Sequence, residues 1–273
     1  MIYQIFSPTP VLSDVVEHFW YSKIDLNESI QQHYPTPLLQ GLVFNFKNQV
    51  ESHTYNNKTL TLSKSAYIFG QPISPRIVTT DKKGIDILGV KFKPLGIPKI
   101  TGIYMEYLTD SIISAEDIWG RELDLLCDEM QSAISLEESI KVLENFLIRK
   151  YQHTSLHYRS ENTQHALALI NKSKGNIPIK TLQEQTGTSR KTLERAFLNY
   201  VGIHPKLYTR IVRFNAVKDA IDKMSFNRKI SAVSLDYGFY DVSHFTSEFK
   251  HFAGFTPQDY LKNSPINLVY KDL

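Results

Sequence analysis

Two stretches near the C-terminal end of the chain carry the same pattern: TSRKTLERAFLNYVGIHPKLY (residues 188–208) and YDVSHFTSEFKHFAGFTPQDY (residues 240–260). Five positions recur at one offset of about fifty residues: Leu193, Phe197, Gly202, Pro205 and Tyr208 match Phe245, Phe249, Gly254, Pro257 and Tyr260. A repeated set that mixes apolar residues with glycine and proline indicates an internal duplication.

Each copy predicts a pair of helices joined by a short turn. The first two apolar positions of each copy lie four residues apart, so they share one buried face of a helix. The glycine can end that helix in a left-handed conformation, and the proline can begin the next helix. A shorter helix and a turn containing Gly187 or Gly238 precede the two copies. This order is typical of the helix-turn-helix motif, whose second helix lies in the major groove of DNA.

The buried stripe of each recognition helix leaves other side chains on its outer face. The candidates for base reading are Arg190, Lys191, Glu194 and Arg195 on the first helix, and Val242, Ser243, Thr246 and Ser247 on the second. Arg195 is the strongest candidate, because an arginine can bond both O6 and N7 of guanine. An ion pair of Arg195 with Glu161 or Glu184 is the alternative.

The remaining contacts to DNA involve the phosphate backbone. Lys250, Arg210 and Arg213 are the candidates for phosphate, with an ordinary surface charge as the alternative for each. The helix predicted from Pro205 to Met224 is about 20 residues, or roughly 30 Å, long. Successive major grooves on one face of DNA are about 34 Å apart, so one rigid helix can hold two recognition helices in adjacent grooves.

These residues resemble the double helix-turn-helix of AraC/XylS-type transcriptional regulators. The resemblance covers about residues 156–261 and includes the segment from Tyr237 to Phe245, a signature of the second unit. Two departures are Ser247, where the family usually carries Arg or Lys, and Leu261, where Arg commonly follows the tyrosine. The resemblance implies double-stranded DNA as a partner, with a small-molecule effector, RNA polymerase and a second copy of the chain as further candidate partners.

The charge of the chain is unevenly distributed, and this agrees with a DNA-binding C-terminal part. Residues 1–155 carry 14 Lys and Arg against 18 Asp and Glu, whereas residues 156–273 carry 17 against 10. The net charge of +3 therefore combines an acidic half with a basic half. A basic half favours a polyanionic partner, and a basic solvated face is the alternative.

The N-terminal part is predicted to be a small β-barrel or β-sandwich. Short apolar or alternating runs separated by turn signals predict strands at 42–46, 59–62, 66–69 and 85–92. The segment from Gly89 to Pro94, followed by Gly102, Leu108 and the Trp119-Gly120 pair, resembles the cupin-like sensor domain of some AraC-type regulators. The fold class expected is therefore α+β with two domains: a cupin-like N-terminal barrel with a helical linker, and an all-α C-terminal domain.

The helical part begins before the duplication. Apolar stripes through Leu123, Leu126 and Met130, and from Leu136 to Leu147, either pack on the barrel or form a dimer seam. Residues 152–162 are polar and are predicted to be a linker. Helices are then predicted at 163–172, 179–186, 190–201, 205–224, 230–237, 242–252 and 257–261. The domain boundaries expected are 1–115 for the sensor, 116–155 for the dimerisation or linker segment, and 156–273 for the DNA-binding domain.

The alternatives to an effector-responsive regulator are a constitutive dimeric DNA-binding regulator and a cupin-type metal enzyme fused to a DNA-binding domain. His18, His33 and His53 are scattered, so neither a metal site nor another cofactor is expected. Cys127 lies on an apolar helical stripe, which favours a structural role over a catalytic one. No catalytic residue is assigned. The chain has one cysteine and no long apolar run, so a cytoplasmic protein without membrane contact is expected.

Overall fold

The computed structural model describes residues 1–47, 51–56, 58–62, 65–154, 161–223 and 230–262. A β-rich N-terminal domain comes first and is completed by helices, and an all-helical C-terminal domain follows. The predicted α+β, two-domain class is therefore confirmed.

The N-terminal domain contains two antiparallel sheets. Within the described residues its strands are β1 (Ile2–Phe6), β2 (Val16–Ile24), β3 (Ile30–Tyr34), β4 (Gly41–Asn45), β5 (Glu51–Tyr55), β6 (Lys58–Leu62), β7 (Ala66–Phe69), β8 (Arg76–Thr80), β9 (Ile85–Phe92) and β10 (Ile112–Ser114). One sheet has the order β1-β2-β9-β4-β7-β10, and the other has the order β3-β8-β5-β6. The four strands predicted from the sequence correspond to β4, β6, β7 and β9.

One face of the larger sheet packs against helices. These helices are α1 (Gly96–Thr101), α2 (Glu116–Trp119), α3 (Arg121–Ser132) and α4 (Leu136–His153). Leu126 and Leu143 from the helices share a core with Phe19, Leu42 and Val90 from the sheet. The two helical stripes are therefore covered within the chain, and the alternative that they form an exposed dimer seam is not supported.

The inner face of the smaller sheet is unusually polar. Alternate positions of its strands place a set of mostly buried polar side chains on one side, which we call the inner polar face: Gln32, Tyr34, Glu51, His53, Arg76 and Thr80. The face lies opposite aromatic residues of the larger sheet, since the rings of His53 and Phe69 are 5.7 Å apart.

The C-terminal domain consists of helices whose ends agree closely with the sequence prediction. They are α5 (Glu161–Lys172), α6 (Ile179–Thr186), α7 (Arg190–Val201), α8 (Pro205–Asp222), α9 (Ile230–Asp236), α10 (Val242–Ala253) and α11 (Pro257–Lys262). The predicted end of α8 at Met224 and the boundary at 155/156 lie outside the described residues. The predicted linker is too long, because residues 152–153 still belong to α4 and residues 161–162 already belong to α5.

The internal duplication is visible in the geometry. Both α7 and α10 end at a glycine in the left-handed region, Gly202 with φ 88° and Gly254 with φ 82°. The aromatic rings of Phe197 and Tyr208 lie 5.8 Å apart, and those of their repeat counterparts Phe249 and Tyr260 lie 5.4 Å apart, both edge to face. Each copy therefore closes its recognition helix in the same way and fixes the next helix against it.

The two glycines provide a matched pair for a stability test. We expect Gly254→Ala to lower the free energy of unfolding by about 1–2 kcal/mol, the cost of a left-handed residue with a Cβ atom. Gly202→Ala should cost more, because its Cβ would lie 2.8 Å from Thr109 Oγ1 and 2.9 Å from the Met105 carbonyl oxygen. Around Gly254 the nearest atom, from Pro75, is at an ordinary 3.6 Å. Urea denaturation of the full chain measures the difference, and equal losses would contradict tight packing at Gly202.

Candidate DNA-binding surface

The recognition helices α7 and α10 begin with capped, exposed first turns. Ser189 accepts a hydrogen bond from the backbone N–H of Thr192, and Asp241 accepts one from the backbone N–H of His244. These caps fix where each helix starts, and the helix dipole places partial positive charge at the same end. Both starts therefore suit a surface that meets DNA.

The first recognition helix presents the side chains that were expected on its outer face. Lys191 and Arg195 are exposed, and Leu193 and Phe197 are buried beneath them. Arg190 donates from Nε to Oε1 of Glu194 at 2.8 Å, an ion pair between an exposed arginine and a half-buried glutamate one helical turn apart. Arg190 and Glu194 thus partly neutralise each other, which leaves Lys191 and Arg195 as the more available cations of this helix.

Arg195 is exposed on the outer face of α7. Within the part of the chain that the structure describes, no ion pair joins it to Glu161 or Glu184. Glu184 instead lies 3.9 Å from Lys180 on its own helix. The alternative that Arg195 forms an ion pair with Glu161 or Glu184 is therefore not supported by a contact.

The second recognition helix has a neutral outer face. Val242 is 49% exposed, and Ser243 and Ser247 are exposed as well. Thr246 donates its hydroxyl hydrogen to the Val242 carbonyl oxygen at 2.7 Å, so its oxygen is left to accept and its methyl group is available for apolar contact. Methyl groups and hydroxyls on this face suit thymine methyls or polar base edges.

Tyr240 is a further candidate that the sequence reasoning did not assign to DNA. It is 91% exposed and lies directly before the Asp241 cap of α10. A phenolic hydroxyl can donate to a phosphate oxygen. The signal was available in the sequence, because the tyrosine lies two residues before the helix predicted at 242–252, but an aromatic residue at that position also fits a buried role.

Arg210 and Arg213, which the sequence predicts to contact phosphate, pair with a carboxylate inside the chain. Arg210 on α8 donates from Nε and Nη2 to the two carboxylate oxygens of Glu248 on α10, at 2.8 and 2.9 Å. Arg213 lies 3.7 Å from the same carboxylate and stacks its guanidinium 4.6 Å from the Phe239 ring centroid. Both cations therefore form contacts within the chain that join α8, the connecting helix between the two units, to α10.

Glu248 is the centre of this cluster. Burial raises the pKa of its carboxyl, but the hydrogen bonds and charge of Arg210, with the charge of Arg213, outweigh burial and hold the pKa below its usual range. Folding therefore stabilises the ionised carboxylate. Its contribution to stability is present above the pKa of the unfolded chain and is lost as the pH falls through the lowered value.

Lys250 keeps the exposure that a phosphate contact requires. It lies in the last turn of α10, and its side chain points to solvent. The connecting helix α8 has 18 residues, which corresponds to about 27 Å. This length is close to the spacing of about 34 Å between adjacent major grooves, and α9 lies between α8 and α10 along the chain.

The C-terminal ends of both recognition helices are bound by the N-terminal domain. Thr36 donates from its backbone N and its Oγ1 to the Phe252 carbonyl oxygen, at 2.8 and 2.9 Å. Gln40 donates from Nε2 to the Val201 carbonyl oxygen at 3.3 Å, and Thr109 donates from Oγ1 to that of Gly202. We call these bonds the interdomain caps.

The interdomain caps are surrounded by packed side chains. Leu95 is buried in the core of the C-terminal domain, and its backbone N–H donates to the Tyr200 carbonyl oxygen at 3.3 Å. The rings of Tyr104 and Tyr200 are 5.9 Å apart, and those of His33 and Phe255 are 5.0 Å apart. The helix ends face the N-terminal domain, so the capped first turns point away from it.

Other candidate chemistries find little support in the described residues. Burial raises the pKa of the Cys127 thiol to about 11, with the charges of Asp124 and Asp128 adding to the effect, so the thiolate is disfavoured. Within the described ranges no group of three or more His, Cys, Asp or Glu side chains is arranged to hold a metal ion. No helix in those ranges has the length and apolar character needed to cross a membrane.

The fold and this surface together define a module of two helix-turn-helix units. A family described as "Helix-turn-helix domain" matches residues 182–263, and a "Domain of unknown function (DUF6597)" matches residues 4–114. The C-terminal domain is thus similar to a helix-turn-helix domain over residues 182–263.

The comparisons with individual proteins cover different parts of the chain. The chain is similar to the "XylDLEGF operon transcriptional activator" of Pseudomonas putida, with 30% identity over 90 residues, which is 33% of this chain and 28% of that protein. The chain therefore spans less than a third of the length of this curated relative. Fatty acid-bound ToxT from Vibrio cholerae aligns over 89% of this chain and 94% of its own, with 15% identity and a TM-score of 0.49. An AraC-type regulator from Chromobacterium violaceum aligns over 40% of this chain and 96% of its own, with 22% identity and a TM-score of 0.36.

The surface predicts different roles for two cations. Arg195→Ala should weaken binding to a specific site by roughly ten- to a hundred-fold, because a bidentate arginine–guanine contact contributes about 1–3 kcal/mol of discrimination. Its effect on scrambled duplex should be much smaller. Lys250→Ala is the matched control. It should weaken binding to the specific site and binding to scrambled duplex by similar factors, since phosphates are the same in every sequence. Binding curves at one fixed salt concentration measure this, and equal losses on both duplexes for a well-folded Arg195→Ala would show that Arg195 does not read bases.

Proposed function

We propose that the chain is a sequence-specific, DNA-binding transcriptional regulator that places α7 and α10 in adjacent major grooves. The observation that carries the proposal is the duplicated recognition helix, with a cap, an exposed first turn and a left-handed glycine end in both copies. Because the outer face of α7 is charged and that of α10 is neutral, we expect the two helices to bind half-sites of different sequence.

The two units contribute differently under this proposal. The first supplies Lys191 and Arg195, with Arg190 and Glu194 as a pair that can separate when a base edge replaces the partner. The second supplies Val242, Ser243, Thr246 and Ser247, whose methyl and hydroxyl groups discriminate less strongly than a bidentate arginine. Sequence preference should therefore be sharper in the half-site under α7.

The N-terminal domain makes the regulator responsive to a small-molecule effector in this proposal. The interdomain caps support the idea, because they connect that domain to the ends of both recognition helices. An effector can shift DNA affinity only if it binds the DNA-competent arrangement and the other arrangement with different affinity. A change in the N-terminal domain that alters the caps provides such a difference.

The partners and location follow from the same proposal. A second copy of the chain on a repeated operator would double the number of half-sites, as in dimeric helix-turn-helix proteins. Contact with RNA polymerase would make the protein an activator, the role that the Pseudomonas relative carries in its name. Both partners imply that the protein works in the cytoplasm.

Genomic DNA that co-purifies with the full chain tests the proposal. Sequencing should return discrete promoter sites that share a two-part motif. Binding to such a site should fall steeply with salt, with a log–log slope near −4 to −5 for about five phosphate contacts. Fragments distributed at random, or a flat salt response, would contradict a regulator of this kind.

A further inference from the structure

We infer that the space between the two sheets of the N-terminal domain binds a small organic amine through Glu51. This deepens the proposed function and rests on it, because it names the chemistry of the effector. The site consists of the inner polar face and of the aromatic residues Tyr67 and Phe69, which the larger sheet places opposite it.

The inner polar face contains buried polar atoms without partners among the described residues. Glu51, His53 and Arg76 are only 9%, 7% and 5% exposed. Glu51 Oε1, His53 Nδ1 and Arg76 Nε lie in the interior without a hydrogen bond to any part of the chain that the structure describes. Buried polar groups in native proteins are hydrogen-bonded in the great majority of cases, so these three atoms point to a bound group.

The charges of Arg76 and Glu51 indicate which chemical group the ligand presents to this face. Arg76 donates to Asp110 Oδ1 at 3.3 Å, so its positive charge has a counter-ion. Among the described residues Glu51 pairs with no lysine or arginine, and its neighbour His53 has Nε2 at 3.4 Å from Oε2, longer than an ordinary N–H···O hydrogen bond. A carboxylate in this position is best compensated by a donor that carries positive charge, because burying an unpaired charge is costly.

The surroundings complete the description of the ligand. The aromatic faces of Tyr67 and Phe69 favour an ammonium group or an apolar frame beside it. Arg76 Nε is a donor, so it favours a ligand that also carries a hydrogen-bond acceptor. A small amine with a hydroxyl, a carbonyl or a second polar end satisfies these requirements, and neither a carboxylic acid nor a plain hydrocarbon does.

The site has a short physical connection to the DNA-binding helices. Arg76 is held by Asp110, the residue next to Thr109, which caps the end of α7. Asp110 also accepts from the backbone N–H of Ile73, in the loop that leads into β8. The strand β3, which carries Gln32 and Tyr34, leads directly to Thr36, which caps the end of α10. An occupied site can therefore act on both recognition helices.

Thermal shift measurements on the full chain test the inference. The probes are tyramine, ethanolamine and 3-aminopropanol, which each carry an ammonium group and a hydroxyl, and each is compared with the alcohol and the carboxylate of the same frame. A ligand that binds the folded state raises the melting temperature by mass action. We expect at least one amine to raise it, with little or no shift from the matched alcohol and acid. No shift from any amine, or equal shifts from an alcohol or an acid, would overturn the inference.

The variant Glu51→Gln assigns the binding to this carboxylate. It should weaken amine affinity at least ten-fold, whereas Glu129→Gln, which removes an exposed carboxylate on α3, should leave it unchanged. Unchanged affinity in Glu51→Gln would show that the amine binds elsewhere. If Glu51→Gln does not fold, the comparison of amine, alcohol and acid on the unmodified chain still decides the question.

A DNA-binding measurement in the same preparations separates this inference from the proposed function. An amine that binds should change operator affinity, and the operator should change amine affinity by the same factor. Intact operator binding without any response to amines would overturn the ligand assignment and leave the regulator proposal standing. Loss of specific DNA binding in the unmodified chain would instead overturn the regulator proposal.

Discussion

The structure depends on how the last carbonyl groups of the two recognition helices are satisfied. An α-helix leaves its final carbonyl oxygens without intrahelical partners. Here the left-handed glycines turn the chain away at each end, and donors from the N-terminal domain reach the remaining carbonyls: Gln40 and Thr109 at α7, and Thr36 at α10. The hydrogen bonds that satisfy these helix-end carbonyl groups therefore also join the two domains.

This arrangement separates the two ends of each recognition helix. One end is fixed to the N-terminal domain, and the other carries a cap and an exposed first turn available to DNA. The cluster of Arg210, Arg213 and Glu248 adds a second constraint, because it holds α10 against the connecting helix. The first unit has no counterpart of this cluster, since Ala196 occupies the position that corresponds to Glu248. The duplicated units are thus alike in backbone and different in how they are held.

The sequence predicts the C-terminal helices well because their boundaries are set locally. The bounds of α6 and α7 agree with the prediction, since Ser189 and Gly202 determine the start and the end of α7 through bonds to nearby residues. The role of Arg210 could not be predicted in this way. Its partner Glu248 lies 38 residues away, and only the packing of α8 on α10 brings the two together.

The N-terminal strands were predicted less completely for a related reason. The strand β3 reads IQQHY, in which the buried position is a glutamine, so the usual alternation of apolar inside and polar outside is absent. The strand β5 likewise places Glu51 and His53 inward. Polar residues inside a sheet conceal the strand from a search for apolar periodicity. They also mark the place where the interior is suited to bind a polar ligand rather than only to fill a core.

The central claim is that one chain holds two recognition helices at the spacing of adjacent major grooves. Dimethyl sulfate protection of guanine N7 on a bound operator, with hydroxyl-radical footprinting of its backbone, measures this spacing directly. The structure predicts two protected patches per chain on one face of the duplex, with centres about 10 base pairs apart. A single protected patch per chain, or two patches on opposite faces of the duplex, would contradict it.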